Sequence, residues 1–170
     1  MKKLSLFLGC VLAATSSLGF AADKLKLAVD VPYEPFEFKA PDGTLTGFEI
    51  DLGNAVCAEI KAECEWVIQA WDGIIPGLLA RKYDAIFSSM SITPERAEKV
   101  LFSDGYYNTP SGWFGKKGME LDVTNQDALK GKRVGVQRGT LQDDYVTNNV
   151  GADTVDIKRY TTADDLVLDL

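Results

Sequence analysis

Four short clusters in this sequence carry side chains suited to holding a small polar molecule. They are Asp30 to Tyr33, Trp71-Asp72, Ser88-Ser89-Met90-Ser91 and Gly139-Thr140, with Arg96 following the serines. A guanidinium grips a carboxylate through a planar, two-pronged fork, which suits Arg96 to an anionic end group. Backbone amides near Ser91 and at a helix start at Thr140 would add donors for the same anion. Tyr33 and Trp71 offer aromatic faces on which a side chain, a cationic one above all, can lie. Asp30 could then pair with that side chain's far end. Each feature also has a plainer reading. Arg96 sits in Pro94-Glu95-Arg96-Ala97-Glu98-Lys99, the pattern of a solvated helix face. The serines could finish a strand, Trp71 could fill a core, and Asp30 before Val31-Pro32 could open a turn.

What the sequence lacks narrows the chemistry further. None of its 170 residues is histidine, which removes Ser-His-Asp and Cys-His catalysis, His-ligated zinc or haem, and an imidazole pH switch. With 18 basic against 25 acidic residues the formal charge is −7, the wrong sign for a nucleic-acid binder. Three cysteines are too few for a disulfide-built miniprotein or an all-cysteine metal site, and no cofactor or metal is expected. At 46% apolar, 10% aromatic and 25% charged, the composition is that of an ordinary globular chain.

The elements that must position these clusters are legible from periodicity. Lys24 to Val29 alternates and then turns apolar, as a strand entering a core does, and Pro32 and Pro35 prevent its continuation. Pro41-Asp42-Gly43 turns a short hairpin between 36–39 and 44–46. Phe48, Leu52, Val56 and Ile60 recur every fourth position and predict a helix, with Glu49 and Asp51 suited to its N-terminus. Strands are expected at 64–70 and 85–89, and a short helix at 74–81 with Pro76 in its first turn. Thr93 and Pro94 mark a new helix start as N-cap and first position. Trp113-Phe114 reads as a strand, and a polar stretch with little periodicity runs on to Lys130. Strand and helix alternation then resumes: a strand at Arg133 to Val136, a helix from Gly139-Thr140 to about Asn148, a strand at 154–158, and a helix from Thr162 to the end. Two α/β units with parallel sheets follow, and in such sheets ligands sit beyond the carboxyl ends of strands, where all four clusters fall.

The first residues stand apart. Lys2-Lys3, an apolar run from Leu4 to Leu18 and Gly19-Phe20-Ala21 read as a secretory signal peptide cut after Ala21, shorter than a membrane-spanning helix needs. Cys10 would leave with it, and the loss of two lysines makes the chain more acidic still. Export changes the meaning of Cys57 and Cys64, an even pair in an oxidising compartment, read as a disulfide against the alternative of two buried thiols.

Gly47-Phe48-Glu49-Ile50-Asp51-Leu52, continuing through Val56-Cys57 and Ile60, resembles the signature of bacterial family 3 extracellular solute-binding proteins. Tyr33-Glu34-Pro35-Phe36, Asp84-Ala85-Ile86, Ser88 to Thr93, Arg96, Phe102-Ser103-Asp104 and Lys130 to Val136 are similar to it too, so the likeness extends over essentially the whole chain. Within the family it looks most like the lysine/arginine/ornithine- and histidine-binding members, which also carry a cysteine pair where Cys57 and Cys64 stand. The resemblance implies an α/β, two-lobed periplasmic-binding-protein-like (type II) fold with a parallel sheet in each lobe and a hinge. On that division residues 1–21 are the signal peptide, 22–109 the N-terminal part of lobe 1, and 110–170 the hinge and an incomplete lobe 2.

Carried over, the resemblance implies that Arg96 clamps a ligand α-carboxylate, helped by the Ser91 backbone and the amides around Thr140-Leu141. Ser89 and Ser91 would accept from the α-ammonium, Tyr33 and Trp71 would pack on the side chain, and Asp30 would receive its distal positive group. Ser88 and Gln142 would line the cleft. The expected protein is a monomeric periplasmic receptor for a basic amino acid, delivering it to an inner-membrane ABC permease without chemistry. Two departures stand out. Leu141 replaces the family's usual Thr or Ser, and the sequence stops at Leu170, short of the second-lobe aspartate and the segment returning to the first sheet. A front part of a longer protein, with weak or absent affinity of its own, is the expectation. Rival classes are a periplasmic cyclohexadienyl-dehydratase-like enzyme using Glu34, Asp30 or Asp72 as acid or base, and the sensor domain of a receptor.

Overall fold

A computed structural model describes residues 24–170; the expected signal peptide and Cys10 lie outside the described residues. Strand β1 (Lys24–Val29) sinks from an exposed start to a buried end and becomes the centre of a three-stranded sheet. A hairpin, β2 (Phe38–Lys39) and β3 (Leu45–Thr46), and helix α1 (Phe48–Glu59) carry the chain to β4 (Glu63–Ile68), parallel to β1 along its full length. A single 3-10 turn at Trp71–Gly73 and helix α2 (Ile74–Leu79) lead to β5 (Ala85–Ile86) on the other side of β1. The expected strand at 85–89 stops at Ile86. Phe87 still donates to the Ala28 carbonyl at 2.8 Å, but Ser89 adopts φ +44° and turns the backbone out of the extended region. Ala28, Ile74 and Tyr83 form the buried centre of this lobe.

Helix α1 forms where the periodicity places it, but it buries a different face. Glu49, Ile50, Gly53 and Cys57 point inward, whereas Phe48, Val56 and Ile60 are 43%, 42% and 56% exposed. Two tertiary contacts decide this. The Trp66 ring covers Gly53 so closely that a Cβ there would lie 2.6 Å from it, and Cys57 is joined to Cys64 on β4 by a disulfide. Gly47 begins the helix at φ +121°, where a Cβ would meet the Phe36 carbonyl oxygen at 2.3 Å.

After α3 (Pro94–Ala97), residues 101–115 run without regular structure. Trp113 and Phe114 do not form the expected strand: no described strand lies alongside to pair their backbone, and they are 41% and 63% exposed. Helix α4 (Gln126–Leu129) arises in the stretch of weak periodicity because Asn125 caps it, accepting from the Asp127 amide at 3.0 Å. Strands β6 (Arg133–Gln137) and β7 (Asp156–Tyr160) form a second parallel sheet. Between them lie α5 (Leu141–Tyr145) and a π-helical continuation, Val146–Val150, and α6 (Ala163–Leu168) follows β7. Leu129, Val134, Val136, Val146, Val150 and Val155 build this lobe's own core. Among the described residues no helix is long and apolar enough to cross a membrane.

Candidate functional site

Parallel strands deliver their carboxyl ends to one edge, and here both sheets deliver them to one cleft between the lobes. Asp30, the first residue past β1, is 6% exposed. Its amide donates to the Ser88 hydroxyl at 3.1 Å, and its carboxylate accepts from the Gln137 side chain at 2.7 Å. Burial pushes this carboxyl up to about 6, against the hydrogen bonds from Gln137 and the Trp71 amide, with the Asp72 charge adding to the rise. Ser88 in turn donates to Glu37 at 2.6 Å. Glu37 is 3% exposed, and its other carboxylate oxygen has no partner. Burial pushes Glu37 up to about 7, opposed by the Ser88 bond and reinforced by the Glu49 and Asp30 charges.

Ser89 donates to Glu49, which is fully buried and also accepts from the Tyr106 hydroxyl at 2.8 Å. Glu49 is therefore more than a charge at a helix start; it anchors the serine turn and the segment after α3. The Tyr106 phenol is driven well above its ordinary value by burial and by that carboxylate.

Arg96 is not on a solvated face. Thr93 caps its helix, accepting from the Arg96 amide at 3.1 Å, and the guanidinium turns back over the Trp71 ring, 5.5 Å from its centroid. It donates to the Ser91 carbonyl at 3.0 Å and reaches the Gly139 carbonyl at 3.5 Å. Burial draws its pKa below the usual arginine value, with Asp144 and Glu95 pulling it back. The Trp71 indole donates to the same Gly139 carbonyl at 2.9 Å, so both groups touch the second lobe directly.

From that lobe, Thr140 donates to the Gln137 carbonyl at 2.8 Å and caps α5 by accepting from the Asp143 amide at 3.2 Å. The Gly139 amide donates to Asp143, so two donors at this helix start are already occupied from within. Gln142 donates to Ser111 at 2.7 Å. Tyr33 is 48% exposed with its ring 6.2 Å from that of Phe36. Asp30, Tyr33, Trp71, Ser88, Ser89, Ser91, Arg96, Thr140, Leu141 and Gln142 all border one broad cavity, which also takes in residues 101–116.

Sequence reasoning missed three polar residues here: Glu37, Gln137 and the inward role of Glu49. The signal existed. Glu37 lies between Phe36 and Phe38, and Glu49 between Phe48 and Ile50, so each carboxylate sits in an apolar frame. Gln137 ends β6, the position where parallel strands place functional groups.

Comparison with known proteins places the chain as a whole. Over its full length the chain is 44% identical to the L-arginine-binding protein of Pseudomonas aeruginosa, of which it covers 66%. A Salmonella typhimurium periplasmic binding protein described for high arginine specificity superimposes with a TM-score of 0.76 at 33% identity, covering 88% of this chain and 65% of that one. An ancestral amino-acid-binding protein, described as a precursor of cyclohexadienyl dehydratase, superimposes with a TM-score of 0.73 at 33% identity, covering 86% of this chain and 64% of that one. The chain thus spans just under two thirds of the length of these proteins. With residues 25–161 matching the family's model, and two parallel-sheet lobes flanking the cleft, the chain belongs to the bacterial extracellular solute-binding proteins, family 3.

Proposed function

We propose that the protein is a periplasmic receptor that holds a basic amino acid between its lobes and presents it, chemically unchanged, to an inner-membrane ABC permease. The observation that carries this reading is the pairing, in one cleft, of a half-buried guanidinium with a buried carboxylate that no cation among the described residues pairs with. Arg96 matches an α-carboxylate, and Asp30 matches a distal cation such as that of arginine, lysine, ornithine or histidine. Ser89 spends its hydroxyl proton on Glu49 and keeps its lone pairs, so it can accept from an α-ammonium, as can Ser91. Tyr33 and Trp71 supply faces for the aliphatic or cationic stem, and Ser88, Thr140, Leu141 and Gln142 complete the walls. An N-terminal signal peptide over 1–21 and a lobe division near 109–110 belong to the same reading, as does lobe closure on the ligand.

Calorimetric titration of the full-length gene product against the twenty amino acids tests it. At least one basic amino acid binds more tightly than ~1 mM, about −4 kcal/mol; none doing so overturns the assignment. Arg96→Ala weakens that binding by ~2–5 kcal/mol, the usual cost of unpairing one side of a buried charge pair. Normal binding by this variant would return Arg96 to a structural role.

A further inference from the structure

Three buried carboxyl groups lie within a few hydrogen bonds of one another: Asp30 after β1 and Glu37 in the loop before β2, both at the cleft wall, and Glu49 on α1 behind it. Among the described residues none of the three is paired with Lys or Arg. Glu49 is satisfied by two hydroxyls, from Ser89 and Tyr106. Glu37 is satisfied on one side only, because its second oxygen is buried and unpartnered. The groups facing it are the Ser88 hydroxyl from beyond β5, the Glu49 and Asp30 charges, and the Tyr33 backbone, which forms a bridge with it. A buried acid in such company is compensated either by a proton or by a cation that arrives from outside.

The route from Glu37 to the cleft is short. Its first oxygen fixes the Ser88 hydroxyl, and that hydroxyl accepts from the Asp30 amide. We infer that Glu37 is a positioning residue for the side-chain end of the cleft: through Ser88 it sets the placement of Asp30, and it releases a proton when a cationic ligand enters. This rests on the basic-amino-acid reading above and adds to it a residue and a proton. The sign follows from linkage. A cation beside the cluster favours its ionised form, so the complex holds fewer protons than the free protein. Affinity is therefore full above the free-state pKa of Glu37, about 7, and declines as pH falls through it.

Two measurements on the full-length gene product test this. The first is calorimetry with L-arginine near pH 7, in buffers of different ionisation enthalpy. The wild type releases a fraction of a proton on binding, and its affinity drops between pH 7.5 and 6 by up to about tenfold per pH unit per proton. Glu37→Gln keeps an acceptor for Ser88 but carries no titrating proton, so it loses the part of the release centred near pH 7 and keeps only that of Asp30 near pH 6. The second needs no ligand. The Asp30 backbone amide resonance, which follows its own carboxyl near pH 6 in every variant, shows in the wild type a further step with a midpoint near pH 7, and that step is absent in Glu37→Gln and in Ser88→Ala, which leaves Glu37 in place but removes the link. Proton release unchanged by Glu37→Gln, or an Asp30 amide titrating alike in all three proteins, overturns the inference. Failure of every basic amino acid to bind, with the Asp30 titration intact, overturns the function and the ligand-linked proton while leaving the positioning standing.

Discussion

Two buried acids, one in each lobe, are treated in opposite ways by the fold. Asp143, on α5 of the second lobe, is 7% exposed and fully occupied. It accepts from Arg159 Nε at 2.9 and 3.1 Å, from the Gly139 amide at 3.1 Å and from the Thr147 hydroxyl at 3.2 Å. Glu37, on the first lobe, is 3% exposed, holds one hydroxyl, and among the described residues has no cation and leaves an oxygen unpartnered. The two are equally hidden from water, so burial alone does not distinguish a structural acid from a functional one. What separates them is whether the protein itself supplies the compensating charge. Asp143 fastens the start of α5; Glu37 and Asp30 leave a deficit that an incoming cation can fill.

Removing each acid therefore has opposite consequences for stability. Asp143→Ala strips Arg159, Thr147 and the Gly139 amide of their common acceptor. Urea denaturation at pH 7 shows a loss of about 3 kcal/mol, tempered by the partial exposure of Arg159. Glu37→Gln acts the other way, and only in one pH range. The folded pKa, about 7, lies above the ordinary value of 4.5, so the stability linked to its proton is complete below pH 4.5 and lost as pH rises through 7. The variant escapes that loss and is more stable than the wild type by up to about 3 kcal/mol at pH 8, with little difference at pH 4.5. Denaturation curves at the two pH values read this directly. A variant less stable than the wild type at pH 8 would erase the contrast with Asp143.

The same contrast explains how much the sequence revealed. Features set by neighbouring residues were legible: the Thr93-Pro94 helix start, the alternation of β1, and the turn at Asp42-Gly43 each depend on a few adjacent side chains. The strand-end clusters were legible too, because a parallel sheet brings strand ends together whatever its details, and the family signature added the type of fold. Features set by distant partners were not. Glu37 meets its serine 51 positions away and Glu49 meets its serine 40 away, so the apolar neighbours of each hint at burial but do not name its partner. The buried face of α1 depended on Trp66 and on the bond to Cys64, and the apolar spacing of Phe48, Val56 and Ile60 pointed to the opposite side. Trp113-Phe114 has strand-forming residues, but a strand also needs a neighbour, which no local pattern encodes.

The smallest effect belongs to a third acid, and it marks where the comparison stops applying. Asp72 and Arg138 form an ion pair across the lobes at 3.3 Å, with side chains 37% and 51% exposed. Geometrically this resembles the Arg159–Asp143 pair, yet water reaches both partners, so the charges are hydrated whether or not they meet. Arg138→Ala accordingly changes the stability by less than about 0.5 kcal/mol at physiological salt, and the residual effect shrinks further at ~0.5 M salt, where screening falls to a few ångströms. Urea denaturation at both ionic strengths measures this. Because the pair joins the two walls, its loss should appear in the distribution of lobe separations, by small-angle scattering, before it appears in the unfolding curve. A stability loss as large as that of Asp143→Ala would mean that contact across the cleft, rather than compensation of buried charge, holds these acids in place.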